Sequence, residues 1–179
     1  MTQYVAVTYN TPGLLEKVRL HKALCMVAME EIVEVMESFY VGGLAKDFIR
    51  EWYELTAVLE MITDVWNLEP LTNIESDQDS TSEELICCFF RLSQAVSKLG
   101  RFGPTDTNPY SGRTGWEQVR HCYYRLKLCL NTVDPKILAD AENYLDSDTP
   151  DTIKQKKKAK VLKFLDYPFH TTYGAHRII

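Results

Sequence analysis

The sequence has no run of eighteen or more apolar residues, which excludes a membrane-spanning helix. It has no Cys-x-x-Cys pair, and His21, His121, His170 and His176 fall at no ligand spacing, which argues against zinc. No P-loop, Gly-x-Gly-x-x-Gly or Gly-x-Ser-x-Gly motif occurs, so a glycine cradle for phosphates and a nucleophile elbow are both excluded. With 8 glycines and 7 prolines in 179 residues, the chain is too poor in both for a fibrous or low-complexity protein. The first twelve residues lack a basic stretch followed by a long apolar one, so no secretory signal is expected. The five cysteines are odd in number and mostly lie in apolar runs, as reduced buried thiols do, and the expected location is cytoplasmic.

What the chain does have is an uneven charge. Residues 1–68 carry 10 acids and 5 bases, and residues 69–84 carry 6 acids and no base. Residues 85–131 carry 2 acids and 7 bases, and residues 132–179 carry 7 acids and 8 bases. An acidic half and a basic half in one chain suit a site where cations meet a polyanion, or two solvated faces that attract each other. The basic excess is small and no RNA- or DNA-binding motif is present, so nucleic acid is not the expected partner.

Hydrophobic periodicity gives an all-α fold. Apolar positions recur at helical spacing over residues 14–39, until Gly42-Gly43, and again over about 44–66. A polar, acidic linker covers 69–83, where Thr81 or Ser82 is placed to cap the next helix. That third helix spans about 83–99 and is expected to stop at Gly100-Arg101-Phe102-Gly103-Pro104. A loop leads to a fourth helix over 115–132, a short fifth over about 135–145 and a basic sixth over 153–165. An irregular tail follows, and Tyr4 to Thr8 is a short extended candidate. The run Lys154 to Lys158 is expected on a solvated face.

The order helix, break, helix occurs twice, over 14–66 and 83–132. An offset of sixty aligns the first helices and one of sixty-seven the second. The expected architecture is a single all-α domain over 1–179. Two tandem helical hairpins form a four-helix core, with C-terminal helices and a tail over 133–179. Such cores bring side chains from facing helices onto one ligand.

The first hairpin carries the sharpest feature. Glu31 and Glu34 share one face of its first helix, and Glu51 and Glu54 share one face of its second. Both pairs flank apolar residues, so they point partly into the bundle, where like charges need a cation. Magnesium or manganese suits all-oxygen ligands and keeps positions open for water and phosphates. A solvated acidic face is the other reading, since glutamate is a good helix former.

Met29-Glu30-Glu31-Ile32-Val33-Glu34-Val35, followed by Arg50-Glu51-Trp52-Tyr53-Glu54-Leu55, resembles the paired motif of MazG-like proteins. These belong to the all-α nucleoside triphosphate pyrophosphohydrolases, together with the dimeric dUTPases. Their pattern is E-E-x-x-E on one helix and E-x-x-D on the next; this sequence has Glu54 where the family usually has Asp. The resemblance implies that Glu31, Glu34, Glu51 and Glu54 are magnesium ligands. The stretch from Leu92 to Gly103 is similar to part of phage MazG-like proteins. At the carboxylate positions the second hairpin carries Arg91, Gln94, Gln118 and His121, so the resemblance implies a degenerate second repeat.

A magnesium-bound triphosphate needs carboxylates for the ion and cations for the outgoing pyrophosphate. Glu30 or Glu34 is the expected base toward water. Lys98 and Arg101, together with Arg91, Arg113 or Arg120, are the expected phosphate contacts, while Trp52, Phe102, Tyr110 and Trp116 are candidates for stacking on the base and Asn108 for reading its edge. Trp52 and Asn108 are equally accounted for by packing, and Lys98 and Arg101 by a helix end that attracts cations. The expected activity converts a nucleoside triphosphate and water to the monophosphate and pyrophosphate. The expected assembly is a dimer or tetramer, with no membrane partner. The rival reading is a helical nucleotide-binding or protein-bridging module that keeps the fold without turnover.

Overall fold

A computed structural model describes residues 13–41, 45–71, 84–134 and 150–165. Among these the chain is all-α, with helices α1 (Leu14–Tyr40), α2 (Ala45–Trp66), α3 (Leu85–Phe102), α4 (Gly115–Val133) and α5 (Pro150–Leu165). The one β contact among them is an isolated antiparallel bridge between Thr107 and Thr114. Helix α1 packs on α2, α3 packs on α4, α1 also packs on α3, and α5 lies across α1 and α2. The expected short helix at 135–145, the extended stretch at Tyr4 to Thr8 and the tail fall outside the described residues.

The apolar stripes meet in one core. Ile32 of α1, Leu55 and Leu59 of α2, Phe89 and Leu92 of α3, and Leu126 and Leu130 of α4 are fully buried there. The start of the expected linker joins this core as well. Leu71 is buried, and the Trp116 indole N–H donates to the Glu69 carbonyl at 2.8 Å.

Helix α3 differs from the sequence expectation at its end. Its N-cap is Glu84, without a side-chain cap hydrogen bond; Thr81 and Ser82, the expected caps, lie outside the described residues. The helix runs through Gly100 to Phe102, ending where Gly103 takes φ 86°. Gly100 is a contact residue instead of a stop: a Cβ there would lie 3.2 Å from Cys25 Cβ of α1, so its absence lets the two helices approach. Helix α4 starts with a capping box, in which the Thr114 hydroxyl accepts from the Glu117 N–H at 3.2 Å and the Glu117 carboxylate accepts from the Thr114 N–H at 3.4 Å.

The two hairpins are tied by polar groups at the end of α3. Two of its last carbonyls accept from α1 side chains, and Leu99 O also accepts from the Gly103 N–H at 2.9 Å. Lys22 donates to Gly100 O at 3.0 Å, and His21 Nε2 lies 2.8 Å from Leu99 O. The Trp66 indole N–H donates to His21 Nδ1 at 2.9 Å. An indole nitrogen can only donate, so Nδ1 accepts and Nε2 carries the proton given to Leu99. Burial pushes the His21 pKa down to about 4, which holds the ring neutral in this role.

Replacing His21 by Phe leaves the Trp66 indole and the Leu99 carbonyl without this partner and is expected to cost roughly 3 kcal/mol in urea unfolding. The unfolded chain takes up a proton at His21 near pH 6.5, whereas the folded chain resists until about pH 4. Stability therefore falls on acidification across that window, and His21→Phe should remove this part of the acid dependence.

Candidate functional site

Helices α1 and α2 place the two glutamate pairs against each other. Glu31 lies one residue before Ile32, a fully buried core position, and is itself fully buried. Glu51 precedes Trp52, which is buried and stacked on Tyr123 of α4 at 5.1 Å between ring centroids. Thr56, one turn on, reinforces that contact with a 2.9 Å hydroxyl pair to Tyr123. The core residues therefore turn the acids inward. One carboxylate oxygen from each of Glu31, Glu34, Glu51 and Glu54 lies within 4.8 Å of the others. The longer side chain at position 54, where the resembled pattern has Asp, still reaches the group.

The cations that meet these acids come from α5. Lys157 Nζ lies 2.8 Å from Glu31 Oε1 and 2.9 Å from Glu54 Oε2. Lys160 Nζ lies 3.1 Å from Glu30 Oε2, 3.1 Å from Glu31 Oε1 and 3.6 Å from Glu34 Oε1. Lys154 reaches Glu60 at 3.7 Å and Asp64 at 3.9 Å. The expectation of a solvated lysine run thus holds for the exposed Lys156 and Lys158 and is corrected for Lys157 and the half-buried Lys154. Lys157 lies four residues after the buried Ile153 and four before the buried Val161, in the middle of the stripe that faces the bundle. That spacing was the signal in the sequence; a run of four bases in five residues obscured it.

The charges do not cancel. Five glutamates face two ammonium groups. Burial, a hydrogen bond with Glu34 and the charges of Glu54, Glu34 and Glu31 push the Glu51 pKa up from 4.5 to about 8, so its carboxyl keeps a proton at neutral pH. Burial opposes the charge on Lys157, but its hydrogen bonds to Glu31 and Glu54 prevail and raise its pKa. The same balance, with Glu30 and Glu31 as partners, raises that of Lys160. Glu31 Oε2 and Glu51 Oε2 are also buried without a hydrogen-bond partner among the described residues. Clustered oxygens, two of them unsatisfied, fit a hard divalent ion.

The other expected site residues divide. Trp52 has its face taken by Tyr123, so its burial needs no ligand. Arg101 lies over the Phe102 ring at 5.0 Å. Lys98, Asn108 and Arg113 come together, but in a separate cleft of about 500 Å3 between α3, α4 and their connecting loop, whose lining includes none of the glutamates. The Asn108 side-chain oxygen accepts from the backbone N–H of Tyr110 at 2.8 Å and of Ser111 at 3.3 Å, so it shapes the loop.

No family model, curated protein or solved structure matches this chain.

Two measurements follow from the charge balance. Replacing Lys157 by Met leaves Glu31 buried beside one ammonium instead of two and is expected to cost about 3 kcal/mol in chemical unfolding. Glu51 ionises near pH 4.5 in the unfolded chain and near 8 in the folded one, so stability falls as pH rises through that interval. Thermal melting of Glu51→Gln across pH 5–8 should lack this decline.

Proposed function

We propose that the chain is a magnesium- or manganese-dependent nucleoside triphosphate pyrophosphohydrolase of the MazG-like type. The observation that carries this reading is the convergence of Glu31, Glu34, Glu51 and Glu54, with two buried unsatisfied oxygens. The motif resemblance in α1 and α2 supports the same reading.

These four glutamates would hold the ion, which supplies Lewis acidity toward a phosphoanhydride. Glu30 lies outside the group of four oxygens, is half-exposed and pairs with Lys160, which leaves it to accept a proton from water. Water then adds at the α-phosphorus, the bond from that phosphorus to the αβ-bridging oxygen breaks, and pyrophosphate departs with the negative charge. Lys157 and Lys160, each within 4 Å of the acids, are the cations this reading assigns to meet that charge. Lys98 and Arg113, set in the other cleft, are not assigned this role.

A second reading is a catalytically silent nucleotide-binding or protein-bridging module. It is favoured by the same lysines, which already neutralise much of the acid charge without a metal. A panel of nucleoside and deoxynucleoside triphosphates with magnesium separates the two. The hydrolase releases pyrophosphate, and Glu34→Gln and Glu51→Gln each reduce the rate by at least about a hundredfold. Saturable nucleotide binding with no release supports the silent module. The assembly of the chain in a dimer or tetramer and its cytoplasmic location belong to this proposal; among the described residues, no helix is long and apolar enough to cross a membrane.

A further inference from the structure

The cleft of the second hairpin occupies a telling place. The offsets that align the hairpins carry Glu31, Glu34, Glu51 and Glu54 onto Arg91, Gln94, Gln118 and His121. Three of these four, Arg91, Gln94 and Gln118, line the cleft. The position that gathers carboxylates in one hairpin therefore gathers a guanidinium and two amides in the other. Lys98, one turn along α3 from Gln94, and Arg113, from the loop before α4, add two more cations, and Asp106 is the one acid in the lining.

The floor is built. Gln118 donates to Cys122 Sγ at 3.5 Å, and Arg113 Nη1 approaches Gln118 Oε1 at 3.5 Å. Burial raises the Cys122 thiol pKa, while the charges of Arg91 and Arg113 oppose that rise, as guanidinium groups close to the floor must. The connecting loop is held over the cleft by the Thr107–Thr114 bridge and by Asn108, so the Arg113 backbone is fixed. A Cβ at Gly115 would lie 2.7 Å from Gly103 O, and the glycine thus closes the loop tightly at its base. The volume, about 500 Å3, falls in the range of small-molecule sites.

We propose that this cleft is a second binding site, which takes a phosphorylated small molecule through its phosphate oxygens and without a divalent cation. Arginine forks and a lysine neutralise the phosphates directly, and the two glutamines supply neutral N–H donors. One carboxylate among three cations leaves no ligand set for magnesium, so recognition here is metal-free by composition. The site goes beyond the proposed hydrolysis and does not depend on it, since none of its residues belongs to the acid group.

Inorganic pyrophosphate titrated calorimetrically into the full chain in excess EDTA tests this. Saturable binding is expected, weakening with added salt and retained in Glu51→Gln. Lys98→Ala and Arg113→Ala should each weaken it by roughly tenfold, with unchanged circular dichroism and melting. Binding that requires magnesium, binding that neither substitution alters, or no binding at all overturns the proposal. Failure of the triphosphate assay has no bearing on this result, because EDTA removes the ion that the acid group would need.

Discussion

A fully buried carboxylate is the constraint around which the rest of this molecule is arranged. Glu31 lies in the α1 stripe beside core residues, where an ionised group without partners is strongly destabilising. Its neighbours Glu34, Glu51 and Glu54 worsen the problem, since like charges at this spacing repel. Two devices offset it in the fold: lysines brought from more than a hundred residues away and a proton retained on Glu51. Helix α5 is thereby more than a C-terminal extension. Ile153 and Val161 anchor it by apolar burial, and the lysines between them complete the electrostatics of the first hairpin.

The architecture and the acids were legible in the sequence because both follow from short-range spacing. Helical periodicity located the described helices, and the i, i+3 glutamates on consecutive helices converge as that spacing requires. The partners of the acids were not legible, because nothing local links Glu31 to Lys157. A lysine run is ordinarily a wet face, and only the flanking Ile153 and Val161 mark Lys157 as an inward position. The same limit applies to His21. Its isolation from other histidines spoke against zinc, but its role depends on Leu99 and Trp66, which the chain supplies from two other helices. Gly100 misled in the opposite direction: a residue that usually ends helices is here within one, for the sake of contact with Cys25.

The two hairpins show how one helical scaffold accommodates opposite chemistry. Trp52 against Tyr123, and His21 and Lys22 against the end of α3, join them through rings and backbone carbonyls. The first hairpin gathers Glu31, Glu34, Glu51 and Glu54, the second lines its cleft with Arg91, Gln94, Lys98 and Gln118, and the core residues beneath both are apolar. The sequence recorded this as an acidic segment followed by a basic one. In three dimensions residues of the basic segment line their own cleft, and lysines of a third segment pair with part of the acidic one.

The join between α1 and α3 carries a mechanical implication. Where Gly100 meets Cys25, only the small cysteine side chain stands between the helices, and His21 and Lys22, one turn earlier on α1, grip the carbonyl end of α3. Sliding one hairpin along the other would break those grips before any apolar surface separated, so the seam behaves as a latch with a single setting.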